Sequence, residues 1–168
     1  INLIVDETKT EDKKESGNNV GKSTVLRLVD YCFGGNGKNI YQDPEFKIKT
    51  NTEIQDFLKK NNIIITLILK KDLDEEESPE ISIRRNFLKY GNKIQEIDGE
   101  KYTEKEFARK LKQLIFHSKT DKPTFRQIIS KNIRDEKIRL QNTVKVLHAT
   151  TTDQEYEALY LFWFGIDL

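Results

Sequence analysis

The chain has few of the residues that build special chemistry. A lone cysteine, Cys32, excludes a disulfide framework within the chain and fits a reducing cytoplasm. Its two histidines, His117 and His148, stand apart with no metal-ligand spacing around either. No apolar run approaches the ~20 residues of a membrane span, so no membrane partner is expected. The N-terminus has no charged segment leading into an apolar one, so no secretory signal is expected either. Net charge is almost absent: 29 Lys and Arg stand against 28 Asp and Glu, formally +1. Total charge therefore points to no partner, and any basic surface has to be a local patch. Internal repeats and low-complexity segments are missing too.

What remains is a 168-residue chain, 34% charged and 36% hydrophobic, which suits one domain with a modest core under a polar surface. It starts directly on a strand-like run, Ile1–Val5, and stops in the apolar stretch Tyr160–Leu168. These ends lead us to expect a piece of a longer protein.

Along the chain, Ile1–Val5 reads as a buried strand and Asp6–Glu15 as a polar loop. Val25, Leu26, Leu28, Val29, Cys32 and Phe33 give one apolar face to a helix from Lys22 to Phe33, ended by Gly34-Gly35. Cys32 on this face is a small core residue. Asn36–Lys49 reads as an exposed loop, Ile63–Leu69 as a strand, Asp74–Glu80 as an acidic hairpin tip and Ile81–Tyr90 as the returning strand. Lys93–Ile97 and Glu100–Tyr102 form a hairpin around Asp98-Gly99, a pair that suits two positive-φ positions. Thr103 with Glu106 is a capping box opening a helix through Phe107, Leu111, Leu114 and Ile115. A further helix starts at Pro123 or Thr124 and runs towards Arg134, and Asp153 caps a last one ending near Phe164-Gly165. The order is α/β with an antiparallel portion followed by helices, not a simple βαβ alternation.

One stretch carries chemistry: Ser16-Gly17-Asn18-Asn19-Val20-Gly21-Lys22-Ser23-Thr24. Its Gly21-Lys22-Ser23 end matches the Walker A template, whereas Ser16 takes the place of the first glycine. A phosphate-cradling loop must curl so that successive backbone N–H groups converge on the anion. Gly17 and Gly21 allow that freely, and Asn18 and Asn19 tolerate left-handed backbone better than most residues. Lys22 would place an ammonium between β- and γ-phosphates, Ser23 would ligate Mg²⁺, and the N–H of Thr24 would point at the anion from the first helical turn. The stretch follows a strand and opens a helix, as the motif requires. The plain alternative is a glycine-serine turn with a solvated lysine.

Asn2–Val5, the polar insert and the run Asn18–Gly35 together resemble the N-terminal half of an ABC-type ATPase head of the SMC/RecN/RecF kind. Within that group the chain is most similar to bacterial SMC-like proteins carrying a domain of unknown function. Ile81–Arg85, the Asp98-Gly99 hairpin and Lys122–Arg126 are similar to it as well. The resemblance implies a P-loop NTPase half-domain with an antiparallel β-subdomain, in which residues 1–168 form the N-terminal lobe. A coiled coil and a C-terminal lobe with Walker B, the signature motif and the catalytic glutamate would lie elsewhere. It further implies ATP and Mg²⁺ as cofactors, a head-to-head homodimer, DNA as a target, and work in repair or phage defence in the cytoplasm. No catalytic residue is expected on this chain, save that Gln127 or Gln141 could be the Mg²⁺-sensing glutamine, an ordinary polar surface residue being the plain alternative for each.

Other readings stay open. Arg84, Arg85, Arg126, Arg134 and Arg139 are either contacts for DNA phosphates or a solvated face balanced by acids. Asp72–Glu75 follows an apolar strand but reads better as a hairpin tip than as a Walker B. Tyr160, Phe162, Trp163 and Phe164 suit a core or an interface with the missing half. Two other functions compete with the half-head: a complete small P-loop kinase or GTPase, and a non-catalytic module whose bound nucleotide orders a partner surface. A GTPase should carry an Asn-Lys-x-Asp segment, and none occurs; a kinase should build a parallel sheet.

Overall fold

The computed structural model describes residues 21–42, 50–133 and 141–166. Ile1–Val5, the insert Asp6–Glu15, residues 16–20, and Arg134 and Arg139 lie outside them. Three helices come first: α1 (Lys22–Cys32), a single turn α2 (Lys38–Tyr41) and α3 (Thr52–Lys60). Four strands follow: β1 (Ile64–Lys70), β2 (Glu80–Asn86), β3 (Gln95–Ile97) and β4 (Glu100–Lys101). The chain then becomes helical again, with α4 (Glu104–Phe116), α5 (Phe125–Asn132) and α6 (Asp153–Trp163). The protein is thus mixed α/β, with one antiparallel sheet in the order β1-β2-β3-β4. None of the described helices is long and apolar enough to cross a membrane.

Alternation along the strands decides which sheet face is inside. Ile65, Leu67 and Leu69 of β1 lie opposite Arg85, Ile83 and Ile81 of β2. These aliphatic side chains pack with Ile97, Cys32, Phe107, Leu111, Phe125 and Ile129 into the main core. Helices α1, α4 and α5 therefore cover one face of the sheet. The other face is polar or half-exposed, and Arg84 pairs there with Glu96 across β2 and β3 at 3.1 Å. A smaller core joins Tyr31, Leu58 and Phe87, the rings of Tyr31 and Phe87 stacked 4.6 Å apart.

Local signals set most boundaries. Asp98 and Gly99 both take positive φ, 51° and 82°, and the β3–β4 hairpin turns on them. Thr103 and Glu106 close the capping box of α4, and Thr124 with Gln127 closes that of α5. For α6 the cap is Thr152, boxed with Glu155, rather than Asp153, which is the first helical residue. The Thr152 hydroxyl reaches the N–H three residues on, a reach that leaves Asp153 to support the helix dipole instead.

Four expectations change. Asn36–Lys49 is not wholly a loop, since α2 forms within it and Gln42 bridges to Thr50. A helix not anticipated, α3, is capped by Asn51, whose side chain accepts from the N–H of Ile54 at 3.1 Å. The returning strand stops at Asn86 rather than Tyr90. Asn86 gives its side chain away, accepting from Ile94 N–H at 2.7 Å and donating to Asn92 C=O at 2.9 Å, which bends residues 87–93 out of the ladder. Finally, the apolar face of α1 is buried only at its C-terminal end: Val25 is 45% and Leu26 37% exposed, whereas Tyr31 and Cys32 are buried.

Candidate functional site

The two ends of α1 are built differently. At its N-terminus Gly21 is the cap residue, in left-handed backbone at φ 72°, ψ 18°, and its C=O accepts the first helical bond from Val25 N–H at 3.0 Å. A Cβ there would meet nothing closer than Thr24 at 3.9 Å, so the backbone angle and not crowding favours glycine. Among the described residues no side chain caps this end, and no acid occupies its first turn. The first N–H groups of a helix have no acceptor within it, and the helix dipole adds partial positive charge at the same place. Lys22 opens the helix, and Ser23 and Thr24 follow as exposed residues of its first turn. The remaining loop residues, Ser16, Gly17, Asn18, Asn19 and Val20, fall outside the described residues.

At the C-terminus α1 is tied down. Gly35 N–H bonds Asp30 C=O at 2.9 Å and Gly34 N–H bonds Tyr31 C=O at 3.0 Å, with Gly34 at φ 88°, the pattern of a Schellman ending. Arg126 of α5 donates to both carboxylate oxygens of buried Asp30, at 2.9 and 3.2 Å, and to Phe33 C=O at 3.0 Å. Arg85 of β2, 4% exposed, donates to the C=O groups of Tyr31 and Gly35 and lays its guanidinium 4.3 Å from the Tyr31 ring centroid. Burial raises the Tyr31 hydroxyl to about 12 and the Cys32 thiol to about 11, the nearby Arg85 charge opposing both shifts. Cys32 is therefore a protonated core residue near neutral pH.

These contacts correct the reading of the arginines. Arg85 and Arg126 are neither phosphate contacts nor a solvated face; they hold the end of α1. Arg84 is spoken for by Glu96. Gln127 is committed to its capping box, accepting from Thr124 N–H at 2.8 Å, and donates to Glu155 at 3.0 Å. Its neighbour Arg126 docks on the far end of α1, roughly 15 Å along the axis from Lys22 at 1.5 Å per residue. Gln127 is thus engaged at the start of α5, and Gln141 is exposed. Asp72–Glu75 lies in the exposed β1–β2 tip, where Leu73 is 84% exposed, as expected of a hairpin end.

Comparison with family models, with curated proteins and with solved structures finds no match. The site therefore rests on its own geometry. His117 ends α4 in left-handed backbone at φ 54°, and His148 bonds Thr150 at 2.8 Å. No group of three or more His, Cys, Asp or Glu able to hold a metal ion occurs among the described residues.

A second concave feature had no local signal. A cleft of about 720 Å³ opens at the C-terminal side of α1, between α2, α3 and the loop after β2. Its walls carry Lys38, Lys59, Lys89 and Lys93, four positions spread over more than fifty residues of sequence.

Proposed function

We propose that this chain binds the phosphates of ATP, with Mg²⁺, at the N-terminus of α1, as the Walker A half of an SMC-like ATPase head acting on DNA. The observation that carries the reading is the opening of α1: a left-handed Gly21, a first turn with no acid and no side-chain cap among the described residues, and Lys22-Ser23-Thr24 as its first residues. Such an end offers N–H donors and positive potential to an anion. Lys22 would neutralise the β- and γ-phosphates and Ser23 would ligate Mg²⁺, with Ser16–Val20 completing the loop. Bound Mg²⁺ would offset charge on the phosphates.

The half-head part of the reading is supported by the open apolar positions. Val25 and Leu26 on α1 are part-exposed and Phe164 after α6 is 79% exposed among the described residues. A lobe that shares its core with a second lobe would leave such positions uncovered. The antiparallel sheet after α1 fits the β-subdomain of such a head better than the parallel sheet of a kinase.

Titration of the chain with a fluorescent ATP analogue and Mg²⁺ tests the reading. Binding should be present and weak, lost at least tenfold on Lys22→Ala, and accompanied by negligible hydrolysis. An unchanged affinity in Lys22→Ala would refute the phosphate site. Turnover abolished by Lys22→Ala would refute the half-site and favour a complete enzyme.

A further inference from the structure

The cleft at the C-terminal side of α1 is cationic and carries an exposed aromatic ring on its rim. Lys38 of α2, Lys59 of α3 and Lys89 of the loop after β2 line it, and their ammonium groups form no ion pair among the described residues. Lys93, also in the wall, pairs with Glu104, the one acid lining the cleft among the described residues. At the floor is Arg85, 4% exposed, whose Nε is buried with no hydrogen-bond partner. The rim carries Tyr90, 92% exposed, in left-handed backbone at φ 55° on a single 3-10 turn. A non-glycine residue held at positive φ with its ring in water is unfavourable twice over. The surrounding bonds of Asn86 to residues 92 and 94 hold the turn that presents it.

Cations with no ion pair among the described residues, around a concavity with an exposed aromatic ring on its rim, have the chemistry of a single-stranded nucleic acid site. Lysines track phosphates, and an open ring offers a face on which a base can stack whatever its identity. A duplex hides its base faces, and an acidic peptide has no base to stack. A cleft of this volume takes about one nucleotide unit deeply rather than a double helix. We propose that this cleft binds a single-stranded nucleic acid, with backbone phosphates at Lys38, Lys59 and Lys89 and a base on Tyr90. The site is separate from the N-terminus of α1 and does not rest on the nucleotide reading above.

The test is fluorescence anisotropy of a labelled twelve-nucleotide oligothymidine with the 168-residue chain, without ATP. Three phosphate contacts give a log–log salt slope of about −2, so affinity should fall roughly twentyfold from 50 to 200 mM salt. Lys59→Ala and Lys89→Ala should each flatten that slope by about 0.7. Tyr90→Ala should weaken binding about tenfold with the slope unchanged. Both lysines and Tyr90 are surface positions, and a circular-dichroism melt confirms folding. Lys22→Ala should leave oligonucleotide binding intact, which separates this site from the phosphate loop. The proposal is overturned by no binding at about 100 µM, the weak end of non-specific affinity. It is equally overturned if Tyr90→Ala binds as wild type, or if a duplex, polyglutamate or free thymidine monophosphate competes as well as the strand does.

Discussion

Arg126→Ala should loosen the joint between α1 and α5, and its size can be worked from the contacts. Asp30 is 5% exposed and sits in the last turn of α1, where the negative end of the helix dipole opposes a carboxylate. Arg126 meets it with two donors, at 2.9 and 3.2 Å, and also covers Phe33 C=O. Exposed ion pairs contribute up to ~1 kcal/mol, and breaking a buried pair costs about 3–5 kcal/mol. The arginine side chain is 30% exposed, so solvent screens one side of the pair and the loss should fall between these limits, at roughly 2 kcal/mol. For a chain of this length that lowers Tm by about 4–8 °C.

The assay is a double-mutant cycle of Arg126→Ala with Asp30→Asn, read by urea midpoint and thermal melt. The two changes should couple by at least ~1 kcal/mol, since each removes the other's partner. A coupling under ~0.5 kcal/mol would refute the joint and return Arg126 to the pool of free cations available to DNA.

Gly35→Ala should cost about 1–3 kcal/mol, because its Cβ would sit 2.3 Å from Asp30 Oδ2 and 2.8 Å from Asp30 C=O; Gly91→Ala, with nothing within 4 Å, should move the urea midpoint little. Cys32 should resist iodoacetamide at pH 8 in the native chain and react in urea. Its thiol is pushed up to about 11 from 9.0, so the unfolded chain releases that proton first. Stability should therefore be full below pH 9 and fall by about 2–3 kcal/mol as pH rises to 11, measured as a dropping urea midpoint.

The parts of the fold legible in the sequence are those fixed within a few residues. Asp98-Gly99, Thr103 with Glu106, and Gly34-Gly35 each satisfy a backbone requirement locally, and each lies where the pattern puts it. The misreadings of β2 and of the arginines involve distant partners. The early stop of β2 comes from Asn86 bonding Asn62, Asn92 and Ile94, which no periodicity encodes. Arg85 and Arg126 look like surface cations until the carbonyls at the end of α1 are placed beside them. Helix α3 was missed because its nine residues bury a single side chain, Leu58, and leave Phe57 58% exposed. The start of α1 at Gly21 and Lys22 is legible because a helix start has a sequence grammar. The basic cleft is not, since its lysines come from three separate elements.

The arginines bear on the phosphate reading even though they never approach it. A helix N-terminus stabilises an anion only as far as its N–H groups hold still, because reorganising them on binding would consume the gain. The described residues give that end of α1 little packing: Ser23, Thr24, Val25 and Leu26 are all exposed. The other end is held firmly. There Arg85 and Arg126 donate to the C=O groups of Tyr31, Phe33 and Gly35, satisfying part of the orphan row that every helix leaves, while their charges complement the dipole and offset Asp30. The same two residues fasten α1 to the sheet through β2 and to the helical layer through α5. A helix anchored so on two sides at one end projects its other end as a lever. Loss of the anchor should then weaken ATP binding at Gly21–Thr24 from about 15 Å away, with Lys22 and Ser23 untouched.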